Sequence, residues 1–192
     1  MKPYSALSAK TTILTPEGSV ETTEYLAVEQ KFTVFLNERE IAASMLLPVG
    51  LEEFGPGFLF SLGYIADSKE VKETWVCNQG RISVLADIPE KREPKGPPVF
   101  AGCEGGGRLS QEMLTNTFDS LGNTEITFSE IKEFLSVFSE YSTLGSQTHC
   151  VHSCGFWTGG QMVAFYEDIS HNNAIDKIIG AILLGNFPCF EI

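Results

Sequence analysis

Apolar positions alternate with polar ones in short runs early in the chain and recur at helical spacing later. Residues 1–28 are polar with little periodicity and predict a frayed arm leading into the first strand. Phe32 to Leu36 predicts a strand, 37–40 a turn, and Ile41 to Met45 the return strand of a hairpin that Pro48 ends. Leu51, Phe54, Phe58, Leu59 and Leu62 lie on one helical face, but Gly55, Pro56 and Gly57 interrupt it, so a kinked or broken helix is expected. Trp75 to Cys77 and Arg81 to Ala86 predict a second hairpin. The Pro-rich, charged stretch 88–98 predicts a surface connection and a boundary between units 1–98 and 99–192.

Farther along, Thr127-Phe128-Ser129-Glu130 is a capping-box signature. Behind it Ile131, Phe134, Leu135, Phe138 and Tyr141 predict an amphipathic helix, with Gly145 as its stop. Val151 to Trp157 fits a buried strand or a helix of small residues equally. Gln161 to Tyr166 predicts a strand. Ser170 is a candidate cap for a helix whose apolar face is Ile175, Ile178, Ile179, Ile182 and Leu183, ended by Gly185.

Composition narrows the function. The 192 residues carry 13 basic and 25 acidic side chains, a net charge of −12, which argues against duplex DNA and anionic membrane surfaces as partners. The longest apolar run near the end, Ile178 to Leu184, falls well short of the roughly 18 residues of a membrane span. The start of the chain lacks the apolar core of a secretory signal. Five cysteines at irregular spacing do not form a secreted disulfide framework, so a reducing cytoplasm is expected.

Three segments carry candidate chemistry. Cys103, between Gly102 and the run Gly105 to Gly107, sits on backbone free to move, which suits a thiol that visits two partners; the competing reading is a flexible loop with an incidental cysteine. His149, Cys150, His152 and Cys154 place four soft ligands within six positions, a zinc candidate, although the spacing matches no standard zinc site. The competing reading there is a packed segment with one functional histidine. From Glu167 to Lys177 a strand end meets a helix start, where ligand crevices form in open α/β sheets and free N–H groups attract anions. Glu167 and Asp168 can accept hydrogen bonds from a purine or pterin, and Asn172 and Asn173 add donors and acceptors. Alternatively Asp168 or Ser170 caps the helix and both asparagines are solvated.

Together these segments resemble the formate dehydrogenase accessory proteins. Phe32 to Ile65 is similar to the family's strand–turn–strand followed by Pro-x-x-Leu-Glu and Gly-Phe-Leu. Gly102 to Gly107 is similar to its G-C-G-x-C-G loop. Thr148 to Lys177 resembles its H-A-A-A and E-D-V-G-R-H-N-A-x-D-K motifs. The likeness runs from about Val28 to Leu184. It departs at Gly106, where the family has a second cysteine, at His171 and Asn172, where it has Arg and His, and at Leu62, where it has a polar residue. Family members continue past the Asp-Lys helix with further strands, so the resemblance implies an α/β unit incomplete at its C-terminus.

The resemblance implies an α/β fold, a partial α-β-α sandwich like that of cytidine deaminases, preceded by a small β-rich subdomain. It implies a sulfurtransferase: Cys103 carries persulfide sulfur from a cysteine desulfurase to the molybdenum or tungsten bis-guanine-dinucleotide cofactor of formate dehydrogenase. The cofactor's guanine nucleotide, a bound substrate, would lie against His152, Glu167, Asp168, His171, Asn172 and Asn173, with no resident metal and no permanent cofactor. Partners implied are the desulfurase and the dehydrogenase, with a homodimer left open. The other reading is a non-catalytic module that binds the cofactor or a guanine nucleotide.

Overall fold

The computed structural model describes residues 5–77, 79–94, 99–101 (backbone only) and 125–185. The predicted mobile loop 102–107, with Cys103, lies outside the described residues.

Residues 5–28 are not a frayed arm. β1 (Ala6–Thr15) and β2 (Gly18–Ala27) pair in unbroken antiparallel register as a two-stranded ribbon. Its β-branched and aromatic content favours strands. Both of its faces are largely solvated, so no alternating pattern betrays it.

The central sheet is mixed, in the order β5-β6-β3-β4-β7. β3 (Gln30–Leu36) and β4 (Arg39–Leu46) form the predicted hairpin, and β5 (Val71–Cys77) and β6 (Arg81–Ala86) the second. β3 runs parallel to β6, and β4 parallel to the short β7 (Val99–Ala101). Asn37 and Glu38 have φ of 48° and 65°, the left-handed pair of a two-residue hairpin turn. The Asn37 side chain locks this turn to the neighbouring strand: its Nδ2 donates to the Ala86 carbonyl (2.8 Å) and its Oδ1 accepts from the Ala86 N–H (2.9 Å).

α1 (Leu51–Ser61) lies on this sheet and buries Phe54, Phe58 and Leu59 against Val34, Leu36, Leu46, Ile82 and Val84. Each such side chain contributes about 1.5–3 kcal/mol. The helix runs unbroken through Gly55, Pro56 and Gly57, so the break that was one of the expectations there does not occur. The glycines serve packing. A Cβ on Gly55 would lie 2.7 Å from the Ile82 side chain, and one on Gly57 would lie 1.8 Å from the Asp176 carbonyl of α4 (His171–Leu184). α4 returns the contact: a Cβ on Gly180 would lie 1.8 Å from the Glu53 carbonyl. Reciprocal glycines therefore let the two helix backbones touch.

β8 (His152–Thr158) and β9 (Gln161–Asp168) form an antiparallel pair outside α4. One face, with Cys154, Phe156, Ala164 and Tyr166, packs on Ile178 and Ala181 of α4. The other carries α2 (Phe128–Tyr141) and α3 (Thr143–Thr148). Phe134 meets Trp157 edge-on, and Phe138 and Tyr141 pack on Phe165. The layers thus run α2 and α3, then β8–β9, then α4 against α1, then the central sheet.

The capping box forms as predicted: Thr127 Oγ1 accepts from the Glu130 N–H, and Glu130 Oε2 accepts from the Thr127 N–H at 2.7 Å. Of the predicted α2 face, Ile131 and Leu135 stay exposed. Gly145 does not stop that helix. α2 ends at Tyr141, and α3 runs through Gly145 to a left-handed His149. α4 departs further from expectation. Its buried face is Asn173, Ala174, Asp176, Lys177, Ile178, Gly180 and Ala181, while Ile175 and Ile182 remain 44% and 43% exposed. Facing a second helix at backbone contact, α4 presents small residues rather than branched ones. Among the described residues no helix is long and apolar enough to cross a membrane.

Gly57→Ala and Gly180→Ala would each gain about 1 kcal/mol in an isolated helix. Here the new methyl meets rigid backbone, so net destabilisation exceeding about 3 kcal/mol is expected. Thermal unfolding of either variant checks this; an unchanged or raised midpoint refutes the contact.

Candidate functional site

The predicted strand-to-helix segment turns at Ile169 and Ser170, and successive carboxylates there point to opposite faces of β9. Asp168 points inward and is fully buried. Its Oδ2 accepts from Lys177 Nζ (2.5 Å) and from the Leu47 N–H (3.1 Å). Its Oδ1 accepts from the Ser170 N–H (3.2 Å) and Asn173 Nδ2 (2.9 Å). Four donors fill the acceptor capacity of one carboxylate. Lys177 is equally satisfied: besides Asp168, its ammonium donates to the carbonyls of Leu47 (3.1 Å) and Glu167 (3.4 Å). Asn173 gives its second amide proton to the Met45 carbonyl (2.9 Å). Burial pulls the Lys177 pKa below the usual lysine range, and the Asp168 charge opposes it. The network ties the end of β4 to the turn before α4.

Glu167 points the other way. Its carboxylate accepts from the N–H groups of Leu144 (3.1 Å) and Gly145 (2.7 Å) and from Ser142 Oγ (3.1 Å). It therefore caps α3, favourably placed against the positive end of that helix. Ser170 occupies the N-cap position of α4 but makes no side-chain cap bond; Asp168 holds the turn instead.

Three of the predicted residues face solvent. His152, at the start of β8, and His171, at the start of α4, meet edge to face with ring centroids 5.5 Å apart. Asn172 is exposed beside them. The structure thus brings His152, His171 and Asn172 to the surface at the N-terminus of α4, with Glu167, Asp168 and Asn173 engaged behind them. The four soft ligands do not converge. Cys154 packs toward α4, where burial pushes its thiol up, and among the described residues no three of His, Cys, Asp and Glu are placed to share a metal.

Two participants lie in the predicted motif but were given no role by the sequence reading. Lys177 shares a helical face with Ala174, Ile178 and Ala181, an i, i+3, i+4 pattern that signals a buried lysine. Asp176, also buried, accepts from Ser61 Oγ at 2.6 Å and so adds a polar clasp to the α1–α4 seam. Burial pushes its carboxyl up to about 6; the Ser61 hydrogen bond opposes this and the Asp168 charge adds to it.

The architecture defines a mixed α/β protein whose buried ion pair supports an exposed histidine pair at a helix start. The family model described as FdhD/NarQ matches residues 27–190, and the chain belongs to that family. It is 26% identical over 182 residues to a sulfur carrier protein FdhD of Halalkalibacterium halodurans, covering 91% of this chain and 67% of the relative. The FdhD of Sulfolobus acidocaldarius is 26% identical over 163 residues, covering 83% of this chain and 62% of the relative. A solved structure assigned to the formate dehydrogenase accessory proteins, from Desulfotalea psychrophila, superposes with a TM-score of 0.80 at 42% identity, covering 94% of this chain and 70% of the other. The chain thus spans about two thirds of the length of these relatives.

Two outcomes test the framework. Lys177→Met leaves Asp168 buried without its cation and should cost about 3–5 kcal/mol in denaturant unfolding. A loss under about 1 kcal/mol would show that the pair is not a structural hub. For Asp176, the unfolded chain ionises near 3.8 while the folded chain holds its proton to about pH 6. This group's contribution is therefore complete below about pH 4 and falls by about 3 kcal/mol as pH rises through 6. Asp176→Asn, whose Oδ1 can still accept from Ser61, should overtake the parent in stability above pH 6. A parent–variant difference that does not change with pH refutes this.

Proposed function

We propose that this chain is a sulfur carrier in formate dehydrogenase maturation. The observation that carries the reading is the exposed group His152, His171 and Asn172 at the N-terminus of α4, in a chain of the FdhD/NarQ family. In this reading Cys103 takes sulfur from a cysteine desulfurase: its thiolate attacks the outer sulfur of the donor persulfide and releases the donor thiolate. It then delivers that outer sulfur to the molybdenum or tungsten bis-guanine-dinucleotide cofactor, bound as a substrate: the S–S bond breaks, Cys103 leaves as thiolate, and the substrate's reduced metal supplies the two electrons that take the sulfur to the sulfide level. The guanine nucleotide lies against His152, His171 and Asn172, where imidazole and amide groups and the unpaired N–H groups of a helix start suit phosphate and ring oxygens. Glu167, Asp168 and Asn173 position these groups without touching the ligand. The α-β-α layering around β8–β9 is consistent with part of a cytidine deaminase-like sandwich. The carrier works in the cytoplasm, where its thiol stays reduced.

Proximity is the mechanistic demand. One thiol must reach two bound partners in turn, and Cys103 among glycines meets it while the histidine face stays fixed. Cys103 is the one cysteine between Gly102 and Gly107, with Gly106 at the position of the family's second cysteine; one thiol suffices to carry a persulfide.

Incubation with a cysteine desulfurase and cysteine should add one sulfur to the intact mass, reversibly on reduction. Cys103→Ser should abolish the gain while leaving GDP binding by calorimetry unchanged. His152→Ala combined with His171→Ala should show the reverse, normal sulfur loading with GDP binding weakened at least about tenfold, or about 1.4 kcal/mol. GDP binding without any sulfur gain in the parent would favour the non-catalytic binding module.

A further inference from the structure

Two sets of unpartnered donors meet at the start of α4. The first belongs to the helix backbone. α4 has 14 residues, no acidic residue in its first turn and no side-chain cap bond from Ser170. Its first backbone bond runs from the Ala174 N–H to the Ser170 carbonyl, so the N–H groups of His171, Asn172 and Asn173 have no acceptor among the described residues. The second donor is the Ser170 hydroxyl. Ser170 is 3% exposed, and its Oγ has no hydrogen-bond partner although it stands at the N-cap itself. A buried hydroxyl is normally paired, and a serine at this position ordinarily accepts from the second or third N–H of its helix. Ser170 does neither.

The nearby carboxylates do not complete the helix start. Asp168 Oδ1 accepts from the Ser170 N–H and from Asn173 Nδ2, and Lys177 neutralises its charge. Glu167 is turned to α3.

We propose that the start of α4 is a phosphate subsite whose donors are these three N–H groups and the Ser170 hydroxyl. The inference rests on the nucleotide reading above and adds which end of the nucleotide meets the helix. A phosphate offers only acceptors, as a set of donors requires, and it suits the positive end of a helix. Guanine does not match: beside its acceptors it presents an amino donor, which would meet further N–H groups. One χ1 rotation separates two placements of Ser170 Oγ, inward as here and outward over the helix N–H groups. From the outward placement it donates to a phosphate oxygen resting on those groups.

Titration of the full chain with inorganic pyrophosphate, followed by amide NMR, should move the N–H signals of His171, Asn172 and Asn173. Pyrophosphate should also displace GDP. Ser170→Ala should weaken pyrophosphate binding by about tenfold or more, the loss expected for a hydrogen bond to a charged group. Its thermal midpoint should equal or exceed the parent's, because the hydroxyl removed makes no bond in the free protein; a merely structural serine would lower it. Ser170→Gly removes the same hydroxyl, suits an N-cap and should bind equally weakly. Pyrophosphate that leaves those three signals unmoved overturns the subsite. Variants that bind it as the parent does overturn the role of Ser170. GDP that is displaced by guanosine but not by pyrophosphate overturns the phosphate assignment and leaves the nucleotide reading standing. Ser170-dependent binding of pyrophosphate, with GDP bound no more tightly, supports the subsite and overturns the nucleotide reading alone.

Discussion

The arrangement depends on one buried ion pair, Asp168 with Lys177. Removing two charges from water costs several kcal/mol for each ion, and their attraction compensates only when the remaining hydrogen-bonding capacity is also filled. Here it is filled: the carboxylate accepts four hydrogen bonds, and the ammonium donates to a carboxylate and two carbonyls. A hydrophobic replacement could match the packing but not the directionality. Donors and acceptors from Leu47, Glu167, Ser170 and Asn173 converge only when β4, β9 and α4 hold one relative position. The pair is thus better read as a device for register than as a source of net stability.

That register requires close helices. Lys177 reaches the Leu47 carbonyl because α4 lies against α1 and the segment before it, and Gly57 and Gly180 permit this by bringing each helix to the other's backbone. Side chains on that seam must be small or satisfied, as Gly180 against Glu53 and Asp176 bonded to Ser61 show. The branched residues Ile175 and Ile182 are displaced outward as a consequence.

This displacement also marks where sequence reasoning fails. A strand with one buried face, such as β3, announces itself because alternation and burial coincide. The capping box at Thr127 is equally legible because it is a local hydrogen-bond pattern. Periodicity ranks isoleucine above alanine and glycine as a buried face, so it placed Ile178 and Leu183 correctly but also put Ile175 and Ile182 inward on α4, where backbone contact outweighs apolar area. It expected a kink or break at Gly55-Pro56-Gly57 because the partners those glycines make room for, Ile82 at Gly55 and Asp176 at Gly57, are remote in sequence. The β1–β2 ribbon was invisible for the opposite reason: without a buried face there is propensity but no alternation. At the site, the motif from Glu167 to Lys177 was visible as a unit, but the division of labour within it was not, since only the fold shows which side chain points inward.

That division follows from the two-residue period of a strand. Glu167 and Asp168 are neighbours, so they serve opposite layers. Glu167 caps α3, whose end at Thr148 leads into the segment reaching His152; Asp168 holds the turn that launches His171. One strand end thereby fixes two histidines that arrive from different elements, and it consumes both carboxylates in doing so. What remains outward is imidazole and carboxamide beside a helix N-terminus. In a chain with a net charge of −12, the strand's own carboxylates are withdrawn from this surface, which is the electrostatic condition that the proposed nucleotide site requires.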